Sequence, residues 1–419
     1  MRITKLLKRD ADFNHFCLRK AFFDEAKESI IVDVEPRKNS RGICPHCGKS
    51  APGYDTIGVR LFEYTPLWGF PVKIRYAMRR VECPGCGAIS VEKVPWADGK
   101  SHLCHQYAAC LADWSTELPW KSVARRFRTS WQTVRAAVSQ AVSFGLSHRE
   151  LGNVSGLGVD EVAWHRGHNY LTLVYQTDAG KRRLLWAGTG RTRDTLETFF
   201  KEMGRITEGF ADRIRTVCSD MWRPYLDVVA KRAPRALNIL DRFHVMQMFG
   251  RALDKIRSEE AARLKEEGRP ALLSHSRWCF LKRRENLTEK QGFKLAELLK
   301  MNLRTVRAYL LKEQFQKFWG QEDTDDARLF LDQWIHAATA SRISQMAKLA
   351  QTLQRHRGLL LNYFRSGKQF NSGVVEGMNR KVNLAIRKAY GFKSLEVAQL
   401  CLYQQLGDLP TPQFTHRFW

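Results

Sequence analysis

Hydrophobic and polar positions change period several times along the 419-residue chain, and each change marks a new segment. Residues 56–61 and 72–78 alternate polar and apolar, the two-residue period of half-buried strands. After a short linker at 95–99 the period lengthens to that of helices. Trp120, Val123 and Phe127 space as one buried stripe and Val134 and Val138 as another, with Thr129 or Ser130 available to cap the second helix. Two short helices joined by a polar turn make the pattern of a helix-turn-helix, with a purely structural helical hairpin as the lesser alternative.

From Gly156 strands return, at 157–164, 170–176 and 183–187, with turns expected at Arg166-Gly167 and at 178–180. A helix follows at 192–203, then a strand at 214–218 leading to Ser219-Asp220, a helix at 224–231 and a strand at 236–240 leading to Asp241. A meander followed by helix and strand in alternation predicts a mixed sheet flanked by helices. Residues 245–365 are helix-compatible with little strand pattern, as a helical insertion would be. The expected organisation is a multidomain α+β chain. It comprises an N-terminal region at 1–98, a helix-turn-helix at 99–150, a mixed α/β domain at 151–246 and 366–419, and an insertion at 247–365.

Charge narrows the class of partner. A formal net charge of +26 attracts polyanions from a distance, so nucleic acid is the expected partner. No run approaches the ~20 apolar residues of a membrane helix, and the basic N-terminal residues lack the apolar core of a signal peptide. Ten cysteines, most of them scattered singly, do not read as a disulfide framework and fit a reducing cytoplasm.

Four of those cysteines form a pattern of their own. Cys44-Pro-His-Cys47-Gly and Cys83-Pro-Gly-Cys86-Gly each hold two thiols two residues apart in a tight turn, the spacing of a zinc ribbon with one structural zinc. Four buried thiols without metal is the plainer reading of the same residues. His102, Cys104, His105 and Cys110 lie close together but match no standard ligand spacing. In the helix-turn-helix, Trp131, Gln132 and Arg135 would face the major groove, and Arg125, Arg126 and Arg128 the phosphates.

Three carboxylates stand out by position. Asp160 sits in Gly158-Val-Asp-Glu-Val162 among apolar neighbours, and Asp220 follows a strand in Val217-Cys-Ser-Asp-Met-Trp222. A carboxylate on a buried strand costs several kcal/mol unless a cation or proton meets it. Glu376 leads a polar stripe with Asn379, Arg380, Asn383 and Arg387, opposite an apolar stripe of Val375, Met378, Val382, Ala385 and Ile386 that would pack on the sheet. An edge aspartate or an ordinary solvated face explains each one alone. Together, three carboxylates could hold two magnesium ions for an in-line phosphoryl displacement.

The order of these motifs, continued by Asp241-Arg-Phe-His244 and by Asn371-Ser-Gly-Val-Val-Glu-Gly-Met-Asn379, resembles transposases of the ISL3 (L-three) family of bacterial insertion sequences. The resemblance spans nearly the whole chain. It implies a ribonuclease-H-like, retroviral-integrase-like catalytic domain whose DDE triad is interrupted by an all-helical insertion. Asp160, Asp220 and Glu376 match the triad as ligands of two Mg²⁺ or Mn²⁺ ions, and Cys44, Cys47, Cys83 and Cys86 match the Zn²⁺ ligands. Asp241, His244 and Asn379 would support the site, and Arg380, Lys381 and Arg387 would steady phosphates. The implied partners are the double-stranded DNA of terminal inverted repeats and target, in a homodimer or larger synaptic assembly, within the bacterial cytoplasm at the nucleoid. A DNA-binding regulator without catalysis, and a nuclease without strand transfer, are the competing functions.

Overall fold

The computed structural model describes residues 4–5, 7, 13–165, 167, 169–269, 272–368 and 373–412. Arg166 of the expected Arg166-Gly167 turn, the Asn371-Ser372 start of the third acidic motif and the aromatic tail at 413–419 lie outside the described residues, whereas Gly167 is described in a left-handed turn conformation (φ 79°). By compactness the chain forms two units, Met1–Glu150 with Val382–Trp419 and Leu151–Lys381. The division falls inside the helix Gly373–Lys388.

In the first unit, strands β1 (Phe16–Asp24) and β2 (Ser29–Pro36) precede a small ladder of β3 (Gly42–Ile43) and β4 (Ser50–Ala51). A long hairpin of β5 (Gly53–Leu67) and β6 (Phe70–Cys83) follows, then β7 (Ala88–Val91). The larger sheet runs β1-β2-β6-β5 with β7 also on β6. Both alternating segments read from the sequence fall inside this hairpin. Trp96 is fully buried, with Phe13, Phe16, Phe62 and Tyr76 packed around it at centroid distances of 4.9–5.9 Å. Glu92, also buried, accepts from Tyr76 Oη at 2.5 Å and from Arg79 Nη2 at 2.7 Å, the pairing a charge needs in such a place.

Helices His105–Glu117, Trp120–Arg126 and Trp131–His148 come next. Ser130 is the cap of the third, accepting from Thr133 N at 3.0 Å, and Arg128 makes the turn in a left-handed conformation (φ 51°). Trp120, Val123, Val134 and Val138 are buried as their spacing predicts. Helix Leu395–Leu406, which the sequence reading groups with the catalytic segment, packs within this unit. Gln404 and Gln405 donate to the carbonyls of Ala112, Ser115 and Thr116, and Lys388 to that of Thr116. Ser115 and Thr116 are among the acceptors that the end of helix His105–Glu117 leaves without intrahelical partners.

The second unit contains the mixed sheet. Strands β8 (Gly156–His165), β9 (Asn169–Gln176) and β10 (Arg183–Thr189) form the antiparallel meander, and β11 (Thr216–Ser219) and β12 (Leu237–Leu240) add on parallel to β8, in the order β10-β9-β8-β11-β12. The register pairs Cys218 with Gly158 and Ser219 with Leu240. Helices Arg193–Ile206 and Arg223–Arg232 cover one face through Leu196, Phe199, Tyr225 and Val229. β9 is buried from Leu171 to Gln176, as in a strand covered on both sides.

Between Arg242 and Arg365 the described residues form helices and connections with no strand, around a core that includes Phe249, Phe280, Tyr309, Phe315 and Trp334. Glu260, buried in this insertion, accepts from the backbone N–H groups of Arg304 and Thr305 at 2.9 and 2.7 Å and so neutralises the start of helix Arg304–Gln316. Asn362 Nδ2 donates to Asn238 O on β12 at 2.8 Å, tying the end of the insertion to the sheet.

Candidate active site and metal centre

The two cysteine knuckles have the same backbone. Gly48 N donates to Cys44 O at 3.0 Å and Gly87 N to Cys83 O at 2.8 Å, and both glycines take a left-handed φ of 71° and 65°. That conformation suits glycine and explains the Cys-Gly ending of each motif. The β3–β4 ladder carries the first knuckle and the β6–β7 turn the second. All four Sγ atoms lie within 4.8 Å of one another, those of Cys44 and Cys83 buried and those of Cys47 and Cys86 exposed.

Backbone donors, first that of Cys47, hold the Cys44 thiol down to about 6. The neighbouring sulfurs, first that of Cys47, push Cys86 up to about 12. Four thiols this close cannot all ionise without a cation among them, and the soft, tetrahedral donor set fits Zn²⁺. Among the described residues this is the one group of three or more His, Cys, Asp or Glu ligand atoms drawn so closely together. The run His102, Cys104, His105 and Cys110 forms no such group.

The acidic site is built by strand order. β8, β11 and β12 run parallel side by side; Asp160 lies on β8, and Asp220 and Asp241 follow β11 and β12 directly. Asp220 Oδ1 accepts from Trp222 N at 2.9 Å, and Asp241 Oδ1 caps helix Arg242–Glu266 through Phe243 N at 2.7 Å. Burial pushes the Asp160 carboxyl up, against the Glu161 backbone donor, His244 and Asn379. The hydrogen bond to Asp241 raises His244 to about 9 against the opposing effect of burial, and Asp160 and Asp220 add to the rise. His244 is therefore a cation at neutral pH, set among three aspartates.

Helix Gly373–Lys388 brings the third expected acid. The helix approaches β8 because Gly158 has no side chain: a Cβ there would stand 2.6 Å from Val375 Cγ2. Gly158 and Asp160 share a strand face about 6.6 Å apart, and Val375 and Asn379 share a helix face about 6 Å apart, so the two repeats match. Val375 thus lies over Gly158 while Asn379 Nδ2 bonds Asp160 Oδ2. Glu376 is rotated off that face; its Oε1 meets Arg380 Nη2 at 2.5 Å, with 43% of the side chain exposed. Asp160 and Asp220 therefore share an electrostatic neighbourhood with Asp241 and His244, whereas the charge of Glu376 is met by Arg380. Val375, Met378, Val382 and Ala385 are buried as the apolar stripe predicts.

Sequence reasoning passes over Glu161 and Tyr175. Glu161 points to the opposite face of β8 from Asp160, as strand alternation requires. Burial, then Asp220 and Asp160, raises its carboxyl to about 7, with Arg191 and the Tyr225 phenol opposing. Its place directly after Asp160 is the signal that could have found it. Tyr175, cross-strand from Gly158, is fully buried and donates its Oη–H to Asn379 Oδ1 at 2.8 Å.

In the helix-turn-helix, Arg125, Arg128 and Gln132 are exposed. Arg126 lies over the Trp114 ring at 5.3 Å. The Trp131 ring is 5.9 Å from that of Trp120 and under the Lys393 ammonium at 5.3 Å, and Arg135 pairs with Glu396 at 2.6 Å. Trp131 and Arg135 thus have partners inside the unit. Arg380, Lys381 and Arg387 are exposed on their helix.

Comparison with known proteins defines the class. Residues 157–402, spanning β8 to the C-terminal helix, match the family described as transposase of the ISL3 type. The chain is 32% identical to the transposase for insertion sequence element IS1557 of Mycobacterium tuberculosis, over 91% of this chain and 90% of that one. It is 29% identical to the transposase for insertion sequence element IS1001 of Bordetella parapertussis, over 84% and 86% of the two chains. Among solved structures, a Drosophila P element transposase strand transfer complex aligns over 77% of this chain and 93% of that one, at 11% identity and a TM-score of 0.38, too distant to bear on the fold.

The protein is thus a DNA transposase, an enzyme that processes DNA. It belongs to the ISL3 family of transposases. No helix among the described residues is long and apolar enough to cross a membrane.

Proposed function

We propose that this transposase binds the terminal inverted repeats of its element through the cysteine module and the helix-turn-helix, and cuts and joins DNA at the acidic site. The sheet order β10-β9-β8-β11-β12, an antiparallel meander continued by two parallel strands, supports a ribonuclease-H-like catalytic domain interrupted by the helical insertion. The observation that carries the reading is the convergence of Asp160, Asp220 and Asp241 along three adjacent parallel strands. At the carboxyl ends of such strands, loops converge on a ligand.

Hard carboxylate oxygens suit Mg²⁺ or Mn²⁺, and Asp160, Asp220 and Glu376 would hold two ions. Once bound, such ions neutralise phosphate charge and make the attacking oxygen a better nucleophile. The chain's own residues orient the acids: Glu161 N and Asn379 bond Asp160, Trp222 N bonds Asp220, and His244 offsets their charge. Arg380, Lys381 and Arg387 offer phosphate contacts. In the first step water attacks phosphorus at the element's end and the leaving oxygen becomes a 3′-hydroxyl. In the second that hydroxyl attacks target DNA, forming one phosphodiester as another breaks. Two ends must be held together, which calls for at least a dimer.

The test is magnesium-dependent cleavage and strand transfer on DNA carrying the element's end, with Asp160→Ala, Asp220→Ala and Glu376→Ala beside the wild type. Each variant loses more than about 10²-fold in rate, the scale of removing one electrostatic group at a transition state, and keeps end binding. Unchanged activity in one of them removes that acid from the site.

A further inference from the structure

Both oxygens of the Asp160 carboxylate are already engaged by the protein. Oδ1 accepts from Glu161 N at 2.7 Å, and Oδ2 accepts from the side-chain amide of Asn379. A carboxylate oxygen has two lone-pair directions, so each retains one for another partner. The donors thereby decide which way the remaining lone pairs point.

An asparagine amide can be turned either way, and only its NH₂ side is attractive to a carboxylate. The other side of Asn379 faces Tyr175, whose Oη–H donates to Oδ1 at 2.8 Å. Tyr175 is fully buried on β9, where its hydroxyl needs a partner, and it stands cross-strand from Gly158. The same amide is thus clamped from two strands, by a donor on β9 and an acceptor on β8. Glu376 lies three residues before Asn379 on the same helical turn. Whatever holds Asn379 also holds the helix backbone that carries the third acid.

We propose that Asn379 and Tyr175 are positioning residues for divalent-metal binding: the Tyr175–Asn379–Asp160 chain aims Asp160 and sets the distance of Glu376 from it. This inference rests on the metal-dependent reading of the acidic site. Partners that orient metal ligands carry weight comparable to the ligands, and their loss costs about 10–100-fold in metal affinity or activity.

The experiment uses the full chain and two readouts. One is binding of Mn²⁺ alone, followed by its electron paramagnetic resonance signal; the other is the Mg²⁺ concentration giving half-maximal cleavage of end DNA. Asn379→Ala raises both midpoints about tenfold or more while end binding without metal stays near that of the wild type; its melting temperature falls, because the buried Tyr175 hydroxyl loses its acceptor. Tyr175→Phe deletes one oxygen, keeps the ring and raises both midpoints several-fold. It also decides the matter if Asn379→Ala does not fold.

Unchanged midpoints in Asn379→Ala or, should it not fold, in Tyr175→Phe overturn the positioning role while leaving the acidic site intact. A wild type without metal-dependent cleavage, or an Asp160→Ala variant that retains it, overturns the site reading and this inference with it.

Discussion

His244 Nδ1 lies 3.2 Å from Asp241 Oδ2, one turn into the helix that Asp241 itself caps. One aspartate therefore does two things, satisfying the helix start with one oxygen and holding an imidazolium beside Asp160 and Asp220 with the other.

That arrangement makes the stability of the protein without bound magnesium depend on pH. His244 is raised from 6.5 to about 9, so its contribution is complete below 6.5 and is lost as pH rises through 9. Glu161 is raised from 4.5 to about 7, so folding favours its protonated form and stability falls as pH climbs over that lower window. Urea midpoints measured in magnesium-free buffer that leaves the cysteine-bound zinc in place should decline from pH 5 to 9. His244→Gln flattens the upper part of the curve and Glu161→Gln the lower part; a wild-type profile flat throughout contradicts both assignments.

Removing metal from the cysteine cluster should unfold the knuckles, because the binding energy of a structural zinc is folding energy. One zinc per chain is expected by elemental analysis, and none in Cys44→Ser. Hydrogen exchange should rise across residues 40–90 on chelation, and end-DNA affinity should fall. Less than one zinc per chain would remove the zinc assignment, and full affinity after complete metal loss would remove the cluster from DNA binding.

Gly158 is a packing requirement rather than a flexible joint. Gly158→Ala places a methyl against Val375 Cγ2 and Thr177 Cγ2, at 2.6 and 3.1 Å before any adjustment, and should cost about 1–3 kcal/mol in denaturant unfolding. Val375→Ala in the same chain should recover part of that loss. Strict additivity of the two substitutions would mean that they do not meet.

In the helix-turn-helix, phosphate and base contacts separate by salt. Arg125→Ala should weaken binding equally for end and competitor DNA and reduce the slope of log K against log salt by about one. Gln132→Ala should cost about 1–3 kcal/mol of discrimination with an unchanged slope. Arg135→Ala tests the Glu396 pairing: loss of stability without loss of specificity marks it as a structural contact.

Much of this protein was legible in short-range pattern. The knuckles follow from Cys-x-x-Cys with a left-handed glycine, the strand and helix order from changes of period, and Asp160 and Asp220 from charge on buried strands. Local chemistry enforces each of these, so neighbouring residues suffice to read them. Asn379 could be read as a supporting residue because it lies one turn after Glu376.

Other features needed contacts between distant residues. Tyr175 looks like any aromatic of a buried strand, and its role appears only when β9 pairs with β8 in the register that sets it opposite Gly158. Trp131 and Arg135 read as DNA contacts, and only the fold shows that Lys393 and Glu396, about 260 residues later, also meet them. The C-terminal helix reads as part of the catalytic segment, yet its Gln405 satisfies carbonyls at the end of helix His105–Glu117. The sequence by itself determined the element order, the pairing of the two cysteine knuckles and the basic character that suits DNA, because these depend on local geometry and summed charge. Tertiary structure alone decided which polar groups are already partnered, because a hydrogen bond depends on where two side chains meet in space.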